Sequence, residues 1–188
     1  MSLQSFIENI NNVGGLAKTN RFKVFIRVPR ILGTNYVEQL SLLCETAELP
    51  GKTLQTSDVK IYGPTYKIPY QKQFQDISLS FLCSNRGTER DIFDKWIEYI
   101  MPNETNNMRF PRGVNGNINE GYLTDITINH LSEEITQEDY DLGGDVLRTV
   151  QLLEVFPLGY AAQPLNWGDD GFLRLTVQFC YRRFIEIK

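Results

Sequence analysis

Residues able to do chemistry are few in this 188-residue chain, and they are badly placed to cooperate. The sole histidine, His130, lies in the strand-like run ITINHL with no second imidazole to share a metal ion, so it reads as structural. Cys44, Cys83 and Cys180 are odd in number, widely spaced and each set in an apolar run. Without a Cys-x-x-Cys pair they read as small buried hydrophobes of a chain made in a reducing compartment. The adjacent carboxylates Glu133/Glu134 and Asp169/Asp170 could do acid–base work only if an apolar surround raised one pKa, and nothing apolar brackets either pair. No G-x-S-x-G, H-E-x-x-H or G-x-x-x-x-G-K pattern occurs, and the glycines of Gly113-Val114-Asn115-Gly116 follow no strand and open no helix, which makes them a surface turn. Asn103-Glu104-Thr105 matches a glycosylation sequon by chance, since the N-terminus lacks a basic and apolar leader. No catalytic, cofactor-binding or metal-binding residue is assigned, and no cofactor is expected.

The charges are more informative than the nucleophiles. Between Arg112 and Arg148 there is no Lys or Arg, yet the stretch carries Glu120, Asp125, Glu133, Glu134, Glu138, Asp139, Asp141 and Asp145. It is either a solvated acidic loop or a wall that repels a polyanion. Basic residues cluster earlier, at Lys18, Arg21, Lys23, Arg27 and Arg30, then at Lys52, Lys60, Lys67 and Lys72. A net charge of −4 and a pI near 5.1 argue against adhesive, sequence-independent binding of nucleic acid. Opposite charges on separate parts of one surface favour head-to-tail association of identical copies.

The elements that must position these residues are mostly strands. Arg21–Pro29 alternates, with Phe22, Val24, Ile26 and Val28 on one face, and Leu40–Ala47 reads as a second apolar strand closed by Leu49-Pro50-Gly51. Asp76–Cys83 sends Ile77, Leu79, Phe81 and Cys83 inward. Further strands are expected over Tyr122–Leu131, Val146–Phe156 and Phe172–Ile185. One helix is clear: Thr88 caps it with Asp91 three residues on, Ile92, Phe93, Trp96, Ile97, Ile100 and Met101 form the apolar stripe, Glu89, Arg90, Asp94, Lys95 and Glu98 face water, and Pro102 ends it. The fold class is therefore mainly β, a barrel or sandwich of antiparallel strands with one flanking helix, in a single domain over residues 1–188. No segment approaches the ~20 apolar residues of a membrane helix, so a soluble chain made in the cytoplasm is expected.

Between these strands, Thr53–Tyr62 and Tyr66–Tyr70 flank a Gly63-Pro64 turn and read as a long polar hairpin arm. An arm extended from a small core exposes backbone donors and acceptors that water or another chain must satisfy. Self-assembly is the first expectation.

The order of features resembles that of the tail tube proteins of contractile-tailed bacteriophages. It is carried by NRFKVFIRVP, CETAELPG, the arm to KIPY, FQDISLSF, the helix with FDKWI, and QLLEVFPLGYAAQPLNWGDDGFLRLTVQFCY, from about Asn20 to the C-terminus. The resemblance implies a repeating structural subunit without enzymatic activity. Its inner strands would join those of five further copies in a hexameric ring around a lumen, with rings stacked inside a sheath and DNA passing through. Six copies at −4 each would place about −24 on a ring, of which the lumen-facing share acts on DNA within a Debye length of roughly 8 Å. By the same likeness the arm at residues 49–72, through Leu49, Pro50, Gly51, Lys52, Lys60, Tyr62, Lys67 and Tyr70, would contact a neighbouring ring or subunit, as would the N-terminal arm at 1–19. Part of the acidic run would line the lumen, and sheath, baseplate and tail-terminator proteins would be partners in a virion tail assembled in the host cytoplasm, with no membrane.

The loops at Asn103–Asn119 and Ser132–Gly144 are long for a minimal tube subunit, which keeps a baseplate tube-initiator ring, or a tube of a contractile injection or secretion system, as the alternative. A third reading, from another class, is a soluble β-barrel binding module or enzyme in which Trp96 and Trp167, or the aromatic-rich turns, line a pocket.

Overall fold

Strands that alternate apolar and polar residues must lay one face on something dry, and here two sheets meet on a shared core. The computed structural model describes residues 4, 7, 16–33, 37–60, 62–112, 121–132, 146–168 and 170–187. In order these form β1 (Phe22–Ile26), a 3-10 turn (Arg30–Leu32), α1 (Val37–Leu42), β2 (Cys44–Ala47), β3 (Lys52–Val59), β4 (Tyr66–Phe74) and β5 (Ile77–Leu82). There follow α2 (Thr88–Ile100), β6 (Thr124–Leu131), β7 (Val146–Tyr160), β8 (Arg174–Cys180) and β9 (Arg183–Ile187). Seven strands make one antiparallel sheet in the order β1-β6-β7-β8-β5-β2 with β9 also on β7, while β3 and β4 pair only with each other. Among the described residues the large sheet does not close, so of the expected alternatives it is the sandwich, not the barrel, that it approaches.

The sheet folds over because β7 serves both halves. Its first part pairs with β6 and β9, and its last part, Phe156–Tyr160, pairs with β8. Inward residues run Val150, Leu152, then Val155 and Pro157, so the parity changes between Leu152 and Val155. The register shows the cause: Ile126 faces Leu152 but Thr124 faces Val155, which gives β7 one extra residue. Glu154, in the bulge, has a φ of 58°. That left-handed conformation costs a non-glycine residue on the order of 1 kcal/mol or more and must be held by its surroundings. Its backbone N–H donates to Asp125 Oδ1 at 3.4 Å. Its carboxylate accepts from Arg182 Nη1 at 3.2 and 3.3 Å and from Arg112.

The opposite strand bends at the same place. Phe172–Ile185, expected as one strand, is two: β8 pairs with β5 and β7, the chain turns at Tyr181 and Arg182, and β9 returns along the first part of β7. The break shows in the alternation itself: Leu175, Val177, Phe179 and Tyr181 are buried in phase, but the next buried residue, Phe184, is out of phase after Arg182 and Arg183. Nor does β7 stop at Phe156. Pro157 is buried within it, tolerated because this last part of β7 pairs on one side only, with β8. The run Leu40–Ala47 also divides. Leu40 is fully buried in α1, and only Cys44–Ala47 pair with β5.

The helix α2 packs on the buried face of β5 and β8. Phe93 packs on Phe81 and Phe179 with ring centroids 5.3 and 5.9 Å apart, and Trp96 on Phe179 at 6.4 Å. Trp96 is fully buried and donates its indole N–H to the Tyr122 carbonyl at 3.0 Å. A helix of 13 residues is marginal alone, and burying Ile92, Phe93 and Trp96 at roughly 1.5–3 kcal/mol each holds it in place. Met101, expected on the buried stripe, is 44% exposed beyond the helix end. The N-terminus departs from expectation too. Gly87, at φ 67°, is the N-cap, Thr88 is already helical and no side chain caps the turn.

Glu89, expected in water, is completely buried. Its carboxylate accepts from the Ser84 N–H at 3.0 Å and the Ser84 hydroxyl at 2.9 Å, tying the end of β5 to the first turn of α2. An acid in the first helical turn also suits the helix dipole.

Two outcomes follow from these ties. Glu89→Ala leaves buried donors on Ser84 without an acceptor, and should lower unfolding stability in urea by about 1–3 kcal/mol, against less than about 0.5 for the exposed Lys95→Ala. Burial pushes the Glu154 carboxyl upward, but the hydrogen bonds and charges of Arg112 and Arg182 outweigh it and hold the pKa below the usual carboxylate value. Its stabilisation is therefore complete above the unfolded value, about 4.3, and drains away as pH falls through the lower folded value. Melting temperature measured from pH 6 to 2 should fall less steeply for Glu154→Gln than for wild type.

Candidate assembly surface

The hairpin of β3 and β4 stands outside the sandwich, and its geometry follows from a short turn and one bulge. Gly63 takes φ 84° at the turn, a conformation that costs it nothing. Pairing runs from Lys52 opposite Phe74 to Val59 opposite Tyr66, with an extra residue, Tyr70, between Gln71 and Pro69. Odd-numbered β3 residues therefore share one face with Tyr66, Ile68, Gln71 and Gln73, and that face carries no charge. Tyr70 joins it, since its hydroxyl donates to Gln55 Oε1 at 2.8 Å, and Gln55 in turn donates to Gln73. The even face carries Lys52, Asp58, Lys67 and Lys72.

At its root the even face lies on the body. Phe74, Tyr181 and Phe184 form an aromatic cluster with centroids 5.6 to 6.2 Å apart, and the Lys52 ammonium sits 4.1 Å above the Phe184 ring and 3.7 Å from Glu186. This anchor was not foreseen from sequence, although three aromatics at the ends of neighbouring strands were a usable signal. Tyr181 has a buried hydroxyl, and burial, with the charges of Asp76 and Cys180, pushes its pKa up to about 12. The uncharged face is thus turned away from the body. Beyond the root the hairpin is exposed on both faces: Tyr62 is 92%, Tyr66 65% and Ile68 51% exposed.

The register also fixes which end of the body carries what. Along β5, Ile77 faces Phe179 and Leu82 faces Arg174. The hairpin enters and leaves at the Ile77 end. The loop joining β7 to β8, from Ala161 to Leu173, sits at the other, held by Gln163 Nε2 donating to the Arg174 carbonyl at 3.0 Å and by Arg90 donating to Gln163 Oε1 at 3.1 Å. In that loop Trp167 is fully exposed, Leu165 85% and Phe172 80%. Nearby, Arg174 donates two hydrogen bonds to Glu45, at 2.6 and 3.0 Å, which lower the Glu45 pKa despite some burial.

All eight residues assigned to the arm lie at the surface or partly so: Leu49 is 51% exposed, Pro50 is half-buried, and Gly51, Lys52, Lys60, Tyr62, Lys67 and Tyr70 are exposed. Of the acidic set only Asp125 lies among the described residues. It is half-buried at the β7 bulge. Glu120, Glu133, Glu134, Glu138, Asp139, Asp141 and Asp145 lie outside them, as do Gly113–Gly116.

Pocket chemistry finds no support. Trp96 is in the core and Trp167 in solvent, so the two tryptophans line no common pocket. His130 Nε2 is 2.9 Å from the Lys18 carbonyl, and no group of potential metal ligands gathers among the described residues. The cysteines are half-buried, not wholly buried as expected, and burial pushes the Cys44 thiol up to about 12, which leaves it protonated. A cleft of about 260 Å³ between the two sheet edges is lined by Phe22, Ala47, Leu49, Ile128, His130 and Thr19. No helix among the described residues is long and apolar enough to cross a membrane.

A family model described as phage tail tube protein matches residues 17–187. No curated protein matches the sequence. Among solved structures, a chain of the anti-feeding prophage baseplate, 6-fold symmetrised, shares 14% identity with a TM-score of 0.64, over 92% of this chain and 95% of that one. A chain of the PVC sheath-tube complex, from an extracellular contractile injection system in its extended state, gives 16% and 0.60 over 100% and 98%. One from the sheath/tube terminator of that system gives 18% and 0.59 over 92% and 97%. At these identities the likeness is one of fold.

Proposed function

This chain belongs to the phage tail tube protein family, and on that premise we propose that it is the repeating subunit of a tail tube, in which copies close into hexameric rings, rings stack, and DNA passes along the lumen. Its role is structural, not enzymatic. The observation that carries the reading is the open sheet: β1, β2, β9 and the end of β7 each have a neighbour on one side only among the described residues. Unpaired strand edges are usually blunted or covered, and identical neighbours cover them in a ring. Six copies are supported by the 6-fold symmetry of the baseplate whose chain shares this fold. Sheath and baseplate proteins are the partners that such a tube meets in a virion tail.

The acidic run from Glu120 to Asp145 is assigned in part to the lumen, where like charge keeps DNA from adhering. The fold likeness to baseplate and terminator chains favours a second reading, a ring at one end of the tube. Dose separates the two. Tube mass rises with the amount of a repeating subunit, whereas an end ring stays at a fixed copy number per particle.

Negative-stain imaging of the purified chain should show rings and tubes. Replacing residues 55–71 by a two-residue turn, with Lys52 and Phe74 kept at the root, should leave the melting temperature within a few degrees of wild type and abolish stacking. Undiminished tubes from that variant would remove the arm from assembly, and a strictly monomeric wild type would remove the tube reading. Reversing Glu133, Glu134 and Glu138 to Lys should slow DNA exit without altering assembly, and finding these carboxylates all on the outer wall would discard the lumen assignment.

A further inference from the structure

We propose that the uncharged face of the β3–β4 hairpin receives the β7–β8 loop of a second copy, with Trp167 and Leu165 seated against Val59, Tyr66 and Ile68. This rests on the tube reading and names the two surfaces that would join one ring to the next.

Four observations converge on it. The two surfaces emerge from opposite ends of β5 and β8, separated by a strand of six residues, roughly 17–20 Å, so they point away from each other within one chain and toward each other in a head-to-tail stack. Each is apolar at its tip: Trp167, Leu165 and Phe172 are 80% exposed or more, and Tyr66 and Ile68 are more than half exposed. A fully exposed tryptophan flanked by two large hydrophobes is the composition of an interface anchor, not of a solvated loop. The hairpin's root packs on the body through its charged face, which leaves the uncharged one open to a neighbour.

Charge agrees with this pairing. Residues 52–74 hold four lysines against one aspartate, with Lys52, Lys67 and Lys72 on the even face and Lys60 exposed just beyond Val59 at the turn end, whereas residues 161–173 hold Asp169 and Asp170 and no basic residue. An apolar centre with opposite charges at its rim is the arrangement that excludes water and sets orientation. A two-fold axis through either surface would bring that surface onto itself, like charge on like, whereas the head-to-tail contact pairs unlike surfaces and propagates.

Trp167→Ala and Ile68→Ser, both at exposed positions, should keep the wild-type melting temperature and still give rings. Each should raise the concentration needed for stacking by at least about thirtyfold, the loss expected from removing one hot spot. Lys60→Glu, at the exposed turn end of the hairpin, should weaken stacking, and adding Asp170→Lys should restore it. Assembly should blue-shift tryptophan emission in wild type and leave it unshifted in Trp167→Ala. Cross-linking followed by mass spectrometry should join peptides of residues 161–173 to those of 64–74.

Tubes of Trp167→Ala as stable as wild type, or cross-links that join these segments to others and not to each other, would overturn the inference while leaving the tube reading intact. A wild-type chain that never associates at any concentration would overturn both.

Discussion

A β-strand that serves two sheets must change which of its residues point inward as it crosses, and one inserted residue is the most local way to do so. The extra residue of β7 is that device, and the molecule depends on it. Without it, either Val150 and Leu152 or Val155 and Pro157 would face solvent, and one of the two sheets would lose its share of the core. The strain at Glu154 is contained by side chains from well-separated parts of the chain, Arg112 from the loop before β6 and Arg182 from the turn between β8 and β9. Local backbone geometry, a three-residue electrostatic clamp and the position of both sheets are one problem with one solution.

From that solution the outer surfaces follow. Folding the sheet at β7 leaves β1 and β2 at the far margins and puts the hairpin and the β7–β8 loop at opposite ends of the same strands. A single small domain thereby acquires two unlike ends and unfinished sides. Closed symmetry can complete the sides and open, head-to-tail repetition can use the ends, which is what a stacked-ring tube requires of its building block.

Much of this was legible in the residues. The alternation of β5 and β8, the apolar stripe of α2 around Phe93 and Trp96, and the Gly63 turn of the hairpin are local patterns, fixed by side-chain period and turn chemistry. The bulge in β7 was marked only by Glu154, which the parity of Val150 and Leu152 would send inward; Leu153, Val155 and Phe156 are apolar on both parities and give no second cue. The break at Tyr181 was marked instead by Arg182 and Arg183, which put charge on both parities before the buried Phe184. Glu89 misled: on a helix rich in charge it looks solvated, and only the Ser84 turn folded against it makes its burial possible. The aromatic anchor of Phe74, Tyr181 and Phe184 joins residues more than a hundred positions apart, a distance over which no periodicity speaks. The acidic run was legible as charge but carries no local cue to the surface it occupies.

The crossing of β7 and β8–β9 also decides how the body can breathe. Both chains run unbroken from one sheet into the other, so along that line the sheets share a covalent spine and cannot part. The opposite margin, where β1 and β2 flank the cleft beside Phe22 and Leu49, shares no strand and is joined by the longer connection through α1. The sandwich is hinged like a book, closed at its binding and clasped at its fore-edge by that connection. Whatever opens it will spread the pages from the side where the mouth already lies.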